Sequence, residues 1–213
     1  MNLPNSLTIL GIFFVPLLVA VLVQENVGFQ VGSVNVTNEW LALTIFLSAA
    51  ATDLLDGYLA RRWRQVTTIG TLLDPIADKL LVSAALIALV QVRLLPGWMA
   101  ILVVGREFAV SGLRAIAAAE GFSLEVSELG KTKMVLQVVA ITVIVLERRL
   151  PLLRLPGSIL LWMVVLFALA SAGQYFISFW KRLDVRIKRR VLIHRAVFRT
   201  GEKEEEQKDV AAH

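Results

Sequence analysis

The chain has 213 residues, of which 57% are hydrophobic and 18% charged, and its mean hydropathy is +0.71. This composition excludes an ordinary soluble enzyme and a disordered protein, and it is typical of a membrane protein. The formal net charge is +5, but ten of the Lys and Arg residues lie in the last 33 positions, so we expect no nucleic-acid partner. The chain contains no Cys, which excludes disulfides, thiolate nucleophiles and Cys-ligated metals.

Six apolar segments predict an all-α, polytopic membrane protein with about six transmembrane helices, because each is long enough or nearly long enough to cross roughly 30 Å of hydrocarbon. The first segment lacks the basic start and clear cleavage site of a signal peptide, so we expect it to be retained. The predicted spans are 7–23, 40–60, 75–92, 98–118, 133–146 and 159–180. We expect a membrane domain over residues 1–180 and a basic cytoplasmic tail over 181–213.

The positions of Lys and Arg predict that both termini face the cytoplasm. Residues 25–39 contain neither, whereas Arg61 and Arg62 follow the second span and Lys131 and Lys133 precede the fifth. We expect Lys133 to be an interface residue whose ammonium group reaches the headgroups. A smaller set of bases falls on the predicted outer side: Arg93, Arg148, Arg149 and Arg154.

Beyond the last span, residues 183–199 alternate bases with Val, Ile, Leu and Phe. This pattern predicts a helix lying on an anionic membrane surface. Residues 202–209 are almost all charged and predict a solvated, frayed end.

Four aspartates lie within 26 residues of otherwise apolar sequence, at Asp53, Asp56, Asp74 and Asp78. An acid in a membrane segment costs on the order of 3 kcal/mol, so its presence indicates a function. Three residues advance a helix by about 300° and four by about 400°, so the members of each pair share one helix face. Pro75 after Asp74 predicts a helix start at that point, with Asp78 one turn inside.

Carboxylates that converge repel each other unless cations lie between them. Because an oxygen-only donor set suits Mg²⁺ or Mn²⁺, the cluster predicts a divalent-metal site. The alternative is that the acids have structural roles. In that case Asp53 lies at the edge of a loop, Asp74 caps a helix, and the other two form ion pairs with Arg61 or Lys79. The nearby small residues Gly57, Ala60 and Gly70 permit either close helix packing or the approach of a ligand to the backbone.

This spacing resembles the signature of the CDP-alcohol phosphatidyltransferase family. Eight positions over 26 residues reproduce D-x2-D-G-x2-A-R-x8-G-x3-D-x3-D: Asp53, Asp56, Gly57, Ala60, Arg61, Gly70, Asp74 and Asp78. The resemblance implies a six-helix integral membrane enzyme, a homodimer, that binds the diphosphate of a CDP-linked lipid through two divalent cations. An alcohol then displaces CMP and a phosphodiester-linked phospholipid forms.

Three further segments resemble the branch of this family that takes CDP-diacylglycerol as donor and glycerol 3-phosphate as acceptor. They are the NLPNSLT sequence at 2–8, Arg106-Glu107 with the SGLR sequence at 111–114, and the GKTK sequence at 130–133. The likeness runs from residue 2 to about residue 180. Serine or inositol phosphate as acceptor is the alternative within the family.

The resemblance also implies a role for each group of residues. The metal ligands would be Asp53, Asp56, Asp74 and Asp78, and Asp78 would also be the general base toward the attacking hydroxyl. The nucleotide and donor lipid would be bound by Asn5, Thr8, Gly57, Ala60, Arg61 and Gly70. The acceptor phosphate would be bound by Arg106, Arg114 and Lys131. Their alternative role is membrane anchoring or, for Arg106, an ion pair with Glu107 or with one of the motif aspartates.

Gly11 departs from the branch pattern, which carries Arg at this place in the first span. A glycine brings no charge, so any anion contact made from this position in relatives is missing here. Two other classes remain as hypotheses: an ion-coupled transporter, since intramembrane acids also relay cations, and a lipid-binding scaffold that uses the basic tail. We expect the protein in the cytoplasmic (inner or plasma) membrane, among its lipids, with the active site facing the cytoplasm.

Overall fold

The structure, a computed structural model, describes the backbone of residues 3–24, 29–31, 34–63, 68–124 and 128–211. Within this backbone it describes the side chains of residues 9–24, 37–52, 55, 79–124, 132–184 and 186. The described chain is helical in class, as predicted. Its helices are α1 (Leu3–Val23), α2 (Asn38–Trp63), α3 (Thr68–Gln91), α4 (Gly97–Ala119), α5 (Glu128–Glu147) and α6 (Arg154–Ala211).

A short β-hairpin, which the sequence analysis did not predict, separates α1 from α2. Strand β1 (Phe29–Val31) pairs antiparallel with β2 (Val34–Val36), and Phe29 lies opposite Val36. With three residues each, these strands leave the helical class of the fold unchanged. A one-turn 3-10 helix over Pro151–Leu153 leads into α6.

Each predicted span lies within one helix of the structure or extends no more than two residues beyond it. The prediction and the structure differ most at the C-terminus. Helix α6 continues without a break from Arg154 to Ala211. The prediction of a frayed end over 202–209 is therefore wrong, because these residues continue the helix begun in the last span. The side chains that would form the lipid-facing surface of residues 187–199 lie outside the described ones, so that part stays a prediction.

Within the described residues, one helical stretch is long and apolar enough to cross a membrane by itself. It runs from Pro151 to Asp184, over 34 residues. Two shorter apolar stretches, Ile9–Val23 and Lys79–Gln91, lie in α1 and α3.

The chain forms two compact units, and both α4 and α6 contribute to each. The first unit contains Met1–Ala109 and Val126–Ser171. The second contains Val110–Glu125 and Ala172–His213. The division of the chain at residue 180 into a membrane domain and a tail stays a prediction.

In the first unit, α1 packs against α2 and α3, and α5 contacts both α2 and α3. The buried face of α2 carries Ala42, Phe46 and Ala49, which lie one helical turn apart, while α3 contributes Ala85 and Leu89. Alanines at these positions allow the helix backbones to approach closely. Helices in a membrane pack in this way because lipid tails are as apolar as the side chains, so that close contact replaces the hydrophobic effect as the source of stability. This packing fixes α2 and α3, the helices that carry the four aspartates.

The bases on the predicted outer side are partly neutralised by two glutamates of the first unit. Arg149 Nε donates to Glu39 Oε2 at 3.0 Å, and Arg148 Nε lies 4.0 Å from Glu39 Oε1. Arg154 Nε lies 3.8 Å from Glu147 Oε1. Burial raises the pKa of the Glu39 carboxyl, but hydrogen bonds to the carboxylate and the positive charge of Arg149 outweigh it and hold that pKa below its ordinary value.

In the second unit, two arginines of α6 bind backbone carbonyl groups of the residues that follow α4. Gly121 has a φ of +74°, and the amides of Gly121 and Phe122 donate back into the last turn of α4. Arg186 donates to the carbonyls of Glu120 and Gly121, and Arg182 Nη1 donates to the Ser123 carbonyl at 2.7 Å. Cations at this position satisfy free carbonyls and complement the negative end of the helix dipole.

Candidate functional site

The four motif aspartates lie on two helices that follow each other in the chain and contact each other. Asp53 and Asp56 belong to α2, and Asp74 and Asp78 belong to α3. Their side chains lie outside the described ones, as do those of the residues expected at the nucleotide: Asn5, Thr8, Gly57, Ala60, Arg61 and Gly70. The helical backbone at all these positions agrees with the predicted spacing argument.

The two pairs of acids also lie at matched distances along their own helices. Asp56 precedes the end of α2 by seven residues, and Asp74 follows the start of α3 by six. At about 1.5 Å per residue, both lie about 10 Å from the helix ends that join, and Asp53 and Asp78 both lie about 15 Å from them. Counted along the chain, Asp56 therefore matches Asp74 and Asp53 matches Asp78 in distance from the end of α2 and the start of α3.

Asp74 does not begin its helix. The structure starts α3 at Thr68, so the prediction of a helix start at Asp74-Pro75 is wrong, and Pro75 lies inside the second turn of the helix. Among residues 68–73 only Leu72 and Leu73 are good helix formers, so local propensity does not explain the earlier start, and Gly70 at the third position does not end the helix.

The types of residue in the chain bear on which groups could hold a metal ion. The chain has no Cys, and both His, His194 and His213, lie in the tail, so Cys and His in the helices that carry the aspartates cannot be ligands. Among the side chains that the structure does describe, no three of His, Cys, Asp or Glu lie close enough together to hold a metal ion.

A buried charged network lies on α4, α5 and α6 of the first unit, centred on Arg106. Arg106 is 9% exposed, and its Nε and Nη2 donate to the Ser171 hydroxyl at 3.1 and 2.6 Å. Its Nη1 donates to Glu107 Oε1 at 3.1 Å. The ion pair between Arg106 and Glu107 that the sequence left open is thus present.

Lys133 also belongs to this network. It is 4% exposed, and its ammonium group forms an ion pair with the same Glu107 carboxylate oxygen. The prediction that Lys133 reaches the membrane interface is therefore wrong, because its side chain turns inward to a buried acid. With two cations and one carboxylate, the described trio carries a net charge of +1.

Arg114 belongs to the second unit, where it contacts Tyr175. Its Nη2 donates to the Tyr175 hydroxyl at 2.8 Å, and its guanidinium carbon lies 5.1 Å from the centre of the Tyr175 ring. A guanidinium above an aromatic face is a favourable cation–π arrangement. The Arg114 Nε is buried and has no hydrogen-bond partner in the described part of the chain. Lys131 lies in α5, with its side chain outside the described set.

Sequence reasoning missed Ser171 and Tyr175, and it misjudged Lys133. Ser171 lies 65 residues beyond Arg106, and Tyr175 lies 61 beyond Arg114, in an otherwise apolar segment. A polar residue inside a membrane span usually faces another helix, and that signal marks both positions. It does not identify the partner, which depends on how α6 packs.

Gly11 lies in the third turn of α1, and a Cβ built there meets no atom within 4 Å. The missing arginine is therefore not explained by a shortage of space beside the described chain.

Comparison with known proteins gives a consistent result. The family model described as CDP-alcohol phosphatidyltransferase matches residues 1–180. A CDP-diacylglycerol–glycerol-3-phosphate 3-phosphatidyltransferase of Bacillus subtilis (strain 168) is 39% identical over 191 residues, covering 85% of this chain and 97% of the relative. A protein of the same name from Rickettsia bellii is 37% identical over 82% of this chain and 93% of its own length. A cardiolipin synthase (CMP-forming) of rice is 34% identical over 86% of this chain and 59% of its own length.

Proposed function

The chain belongs to the CDP-alcohol phosphatidyltransferase family, and we propose that it transfers the phosphatidyl group of CDP-diacylglycerol to glycerol 3-phosphate. The products are phosphatidylglycerophosphate and CMP. The observation that carries this proposal is the similarity, at 39% and 37% identity over more than four-fifths of the chain, to two enzymes named for that reaction. The matched positions of the aspartates along α2 and α3 support it.

We assign the four aspartates to two divalent cations, Mg²⁺ or Mn²⁺, and this assignment rests on the donor set and the hairpin backbone. Bound cations would neutralise the charge of the diphosphate and of the oxygen that leaves with CMP. Gly57, Ala60 and Gly70 have small or no side chains, so the nucleotide could approach the backbone there. Asn5, Thr8 and Arg61 are the proposed hydrogen-bond donors to the CDP moiety.

In the proposed reaction, a hydroxyl of glycerol 3-phosphate attacks the phosphorus that carries diacylglycerol. A new oxygen–phosphorus bond forms, the bond from that phosphorus to the CMP oxygen breaks, and the hydroxyl proton passes to a base. Asp78 is the proposed base, and Asp53, Asp56 and Asp74 remain as carboxylates. A carboxylate is a weak base toward an alcohol, so the proton transfer occurs late, when bond formation has made the hydroxyl acidic.

The acceptor carries a dianionic phosphate, which needs fixed cations, and Arg106, Arg114 and Lys131 are the proposed ones. The Arg106 guanidinium donates three hydrogen bonds, two to Ser171 and one to Glu107, and these fix its plane. A fixed guanidinium loses less entropy when it binds phosphate.

Arg114 offers a second observation in favour of anion binding. A buried donor without an acceptor is unfavourable by about 1–3 kcal/mol, so native proteins rarely leave one. An oxygen of the acceptor phosphate would satisfy Arg114 Nε, while the Tyr175 hydroxyl holds Nη2 at 2.8 Å. Arg106 and Arg114 lie on the same helix, α4.

We further propose a six-span topology in the cytoplasmic membrane, with the aspartates toward the cytoplasm and the enzyme as a homodimer. Helix lengths of 20 residues or more support the six spans, although α2 to α5 carry charged residues. The arginines at the predicted outer end oppose the positive-inside rule. Glu39 and Glu147 form ion pairs with three of them and so reduce the positive charge there.

The test is CMP release by the purified full chain with CDP-diacylglycerol, Mg²⁺ or Mn²⁺, and one acceptor at a time. The acceptors are glycerol 3-phosphate, serine, inositol phosphate and phosphatidylglycerol, the last because of the rice relative. We expect glycerol 3-phosphate to give the highest kcat/KM. Preference for another acceptor would overturn the substrate assignment, and absence of CMP release with all four would overturn the reaction.

A further inference from the structure

A cleft of about 550 Å³ lies in the first unit, where the end of α3 meets the start of α6. Its volume falls within the range of ligand sites in proteins. Beside apolar residues, its lining includes the charged side chains of Arg93, Glu147 and Arg154, the hydroxyl of Ser158 and the ring of Trp162. None of these residues belongs to the proposed reaction.

The cleft lies at the far end of α3 from the motif aspartates. Fifteen residues separate Asp78 from Arg93, which corresponds to about 22 Å along a helix. Because α3 is continuous from Thr68 to Gln91, the acids lie in its first half and the cleft lies at its C-terminal end. A ligand of this cleft is therefore distinct from the substrates at the aspartates.

Arg93 has a backbone conformation that usually belongs to glycine. Its φ is +61°, and the amides of Arg93 and Leu94 donate to the carbonyls of Val90 and Leu89, which closes the end of α3. A side chain in this conformation costs roughly 1–2 kcal/mol. The Arg93 side chain is exposed and has no hydrogen bond or ion pair within the described chain, so no contact in the fold offsets this cost. We therefore assign the strained conformation to the binding of a ligand.

Arg154 supplies a second cation to the cleft. Its side chain is 84% exposed and forms one long contact, 3.8 Å, with Glu147. Helix α6 begins at Arg154, so the positive end of its dipole lies at the same place. Two arginines and one glutamate give the lining a net charge of +1, which complements a ligand of charge −1.

An apolar surface continues from the cleft along α4 and α6. Trp98 and Trp162 contact each other with ring centres 5.6 Å apart, and both are half-exposed. Exposed apolar side chains follow at helical spacing on α4 (Ile101 and Phe108) and α6 (Leu155, Ile159 and Leu166). Paired tryptophans between a charged cleft and an apolar helix face are typical of the membrane–water interface.

From these observations we propose that the cleft binds the headgroup of a monoanionic phospholipid, whose acyl chains lie along the α4 and α6 surface. Arg93 and Arg154 bind the phosphodiester, Ser158 offers a hydroxyl, and Trp98 and Trp162 contact the glycerol region. A zwitterionic lipid fits less well, because its cationic group would add to the positive charge of the lining. The site is independent of the transfer reaction.

The test measures lipid retained by the purified full chain in nanodiscs that contain phosphatidylcholine with or without phosphatidylglycerol. Native mass spectrometry counts the lipids that remain after mild removal of the disc. We expect phosphatidylglycerol to be retained preferentially, and Arg93→Gln/Arg154→Gln to reduce its affinity by about fivefold for each arginine. Arg148→Gln/Arg149→Gln is the matched control, because it removes two bases at the same end of the protein that do not line the cleft.

Equal retention of the two lipids, or equal losses in the cleft variant and the control, would overturn the proposal. A second measurement places a photoreactive phenylalanine analogue at Trp162 in the full chain. Cross-linking to phosphatidylglycerol is the expected result. Cross-linking to a second copy of the chain would overturn the proposal, because the surface would then be a protein interface.

Discussion

Arg106 donates two hydrogen bonds to the single hydroxyl oxygen of Ser171, from Nε at 3.1 Å and from Nη2 at 2.6 Å. This contact joins α4 to α6 inside the first unit, and the serine hydroxyl itself lies within reach of the Ala168 carbonyl at 3.2 Å. Both residues are buried. Ser171, to which we assign no chemical role of its own, therefore helps Glu107 to orient the guanidinium.

We expect Ser171→Ala to reduce both stability and acceptor binding. The substitution leaves two buried guanidinium donors without this acceptor, a cost of about 1–3 kcal/mol. Since a less ordered Arg106 binds phosphate more weakly, the KM for glycerol 3-phosphate should rise by roughly three- to tenfold with kcat little changed. Steady-state kinetics and thermal unfolding in detergent measure the two effects.

Ser158→Ala is the control for this experiment, because it makes the same change in the same helix. The exposed Ser158 hydroxyl donates to the Arg154 carbonyl of its own helix at 2.9 Å. We expect a change within about 0.5 kcal/mol and an unaltered KM. A Ser171→Ala enzyme with the same KM as the parent would show that Arg106 does not need this contact.

Glu107 carries the counter-charge for two buried cations, so Glu107→Gln should be the most destabilising change in the network. It leaves Arg106 and Lys133 without their shared carboxylate, and breaking one side of a buried ion pair costs about 3–5 kcal/mol. Lys133→Gln alone should cost less, because Arg106 keeps Glu107 at 3.1 Å. Thermal unfolding of the single variants gives the order.

The double variant Glu107→Gln/Lys133→Gln tests whether the charges are coupled. Removing the second cation should recover part of the loss, with a coupling free energy of about 1–3 kcal/mol. If the losses of the two single variants simply add, the ion pair contributes no interaction energy and the assignment of a network fails.

Arg93 and Gly121 end α3 and α4 in the same left-handed conformation, and they should respond to substitution in opposite directions. Arg93→Gly should stabilise the protein by about 1 kcal/mol, because it relieves a residue with φ of +61°. Gly121→Ala should destabilise it by about 1 kcal/mol or more. An added Cβ there would also lie 3.3 Å from Arg186 Nη1.

Gly173→Ala serves as the comparison for both, since Gly173 lies inside α6 and a Cβ there meets nothing within 4 Å. It should stabilise by about 0.5–1 kcal/mol through helix propensity. Chemical unfolding curves measure all three. A stabilising Gly121→Ala would mean that α4 does not end as described.

The Glu39 carboxylate should give the protein an acid-sensitive contribution to stability. Its pKa is lowered in the folded state, so its ion pair with Arg149 contributes fully above the ordinary value of 4.5 and is lost as the pH falls through the lower folded value. Glu39→Gln should therefore lower stability at pH 7, by less than about 1 kcal/mol because Arg149 is half-exposed.

The check is thermal unfolding of parent and variant in detergent from pH 7 down to below the ordinary pKa of the glutamate. The difference should shrink with acidification and with added salt. A difference that grows toward low pH would show that the carboxyl is protonated more readily in the folded protein, contrary to the expectation.

Asp56→Asn and Asp78→Asn should separate binding from turnover. Asp56 is assigned only to the metals, so its variant should lose both CDP-diacylglycerol binding and activity. Asp78 is also the proposed base, so its variant should retain more binding while kcat falls by about 100-fold or more. Chelation of divalent cations should abolish activity in the parent, and Mg²⁺ or Mn²⁺ should restore it.

Donor binding by equilibrium dialysis and CMP release by single-turnover kinetics give the two readouts. Small and equal effects of the two variants would contradict the division of roles. Retained activity in the presence of a strong chelator would contradict the metal assignment itself.

The sequence by itself determined the helices and the family. Apolar segments of near-membrane length predict six helices because the hydrogen bonds of a helix are local, and each prediction matches a helix of the structure. The aspartate signature can be recognised for the same reason, since residues three and four apart share a helix face however that helix packs in the fold. Even so, local signals misplaced the start of α3, which begins at Thr68 rather than at Asp74.

Only the tertiary structure decided the partners of the charged residues. Lys133 fits a membrane interface as well as a buried ion pair when only its own helix is known, and Glu107 on α4 is what turns it inward. Ser171 and Tyr175 are separated from Arg106 and Arg114 by more than 60 residues. The energy of a charge inside a protein depends on which groups surround it, and those groups come from helices whose packing no local pattern contains.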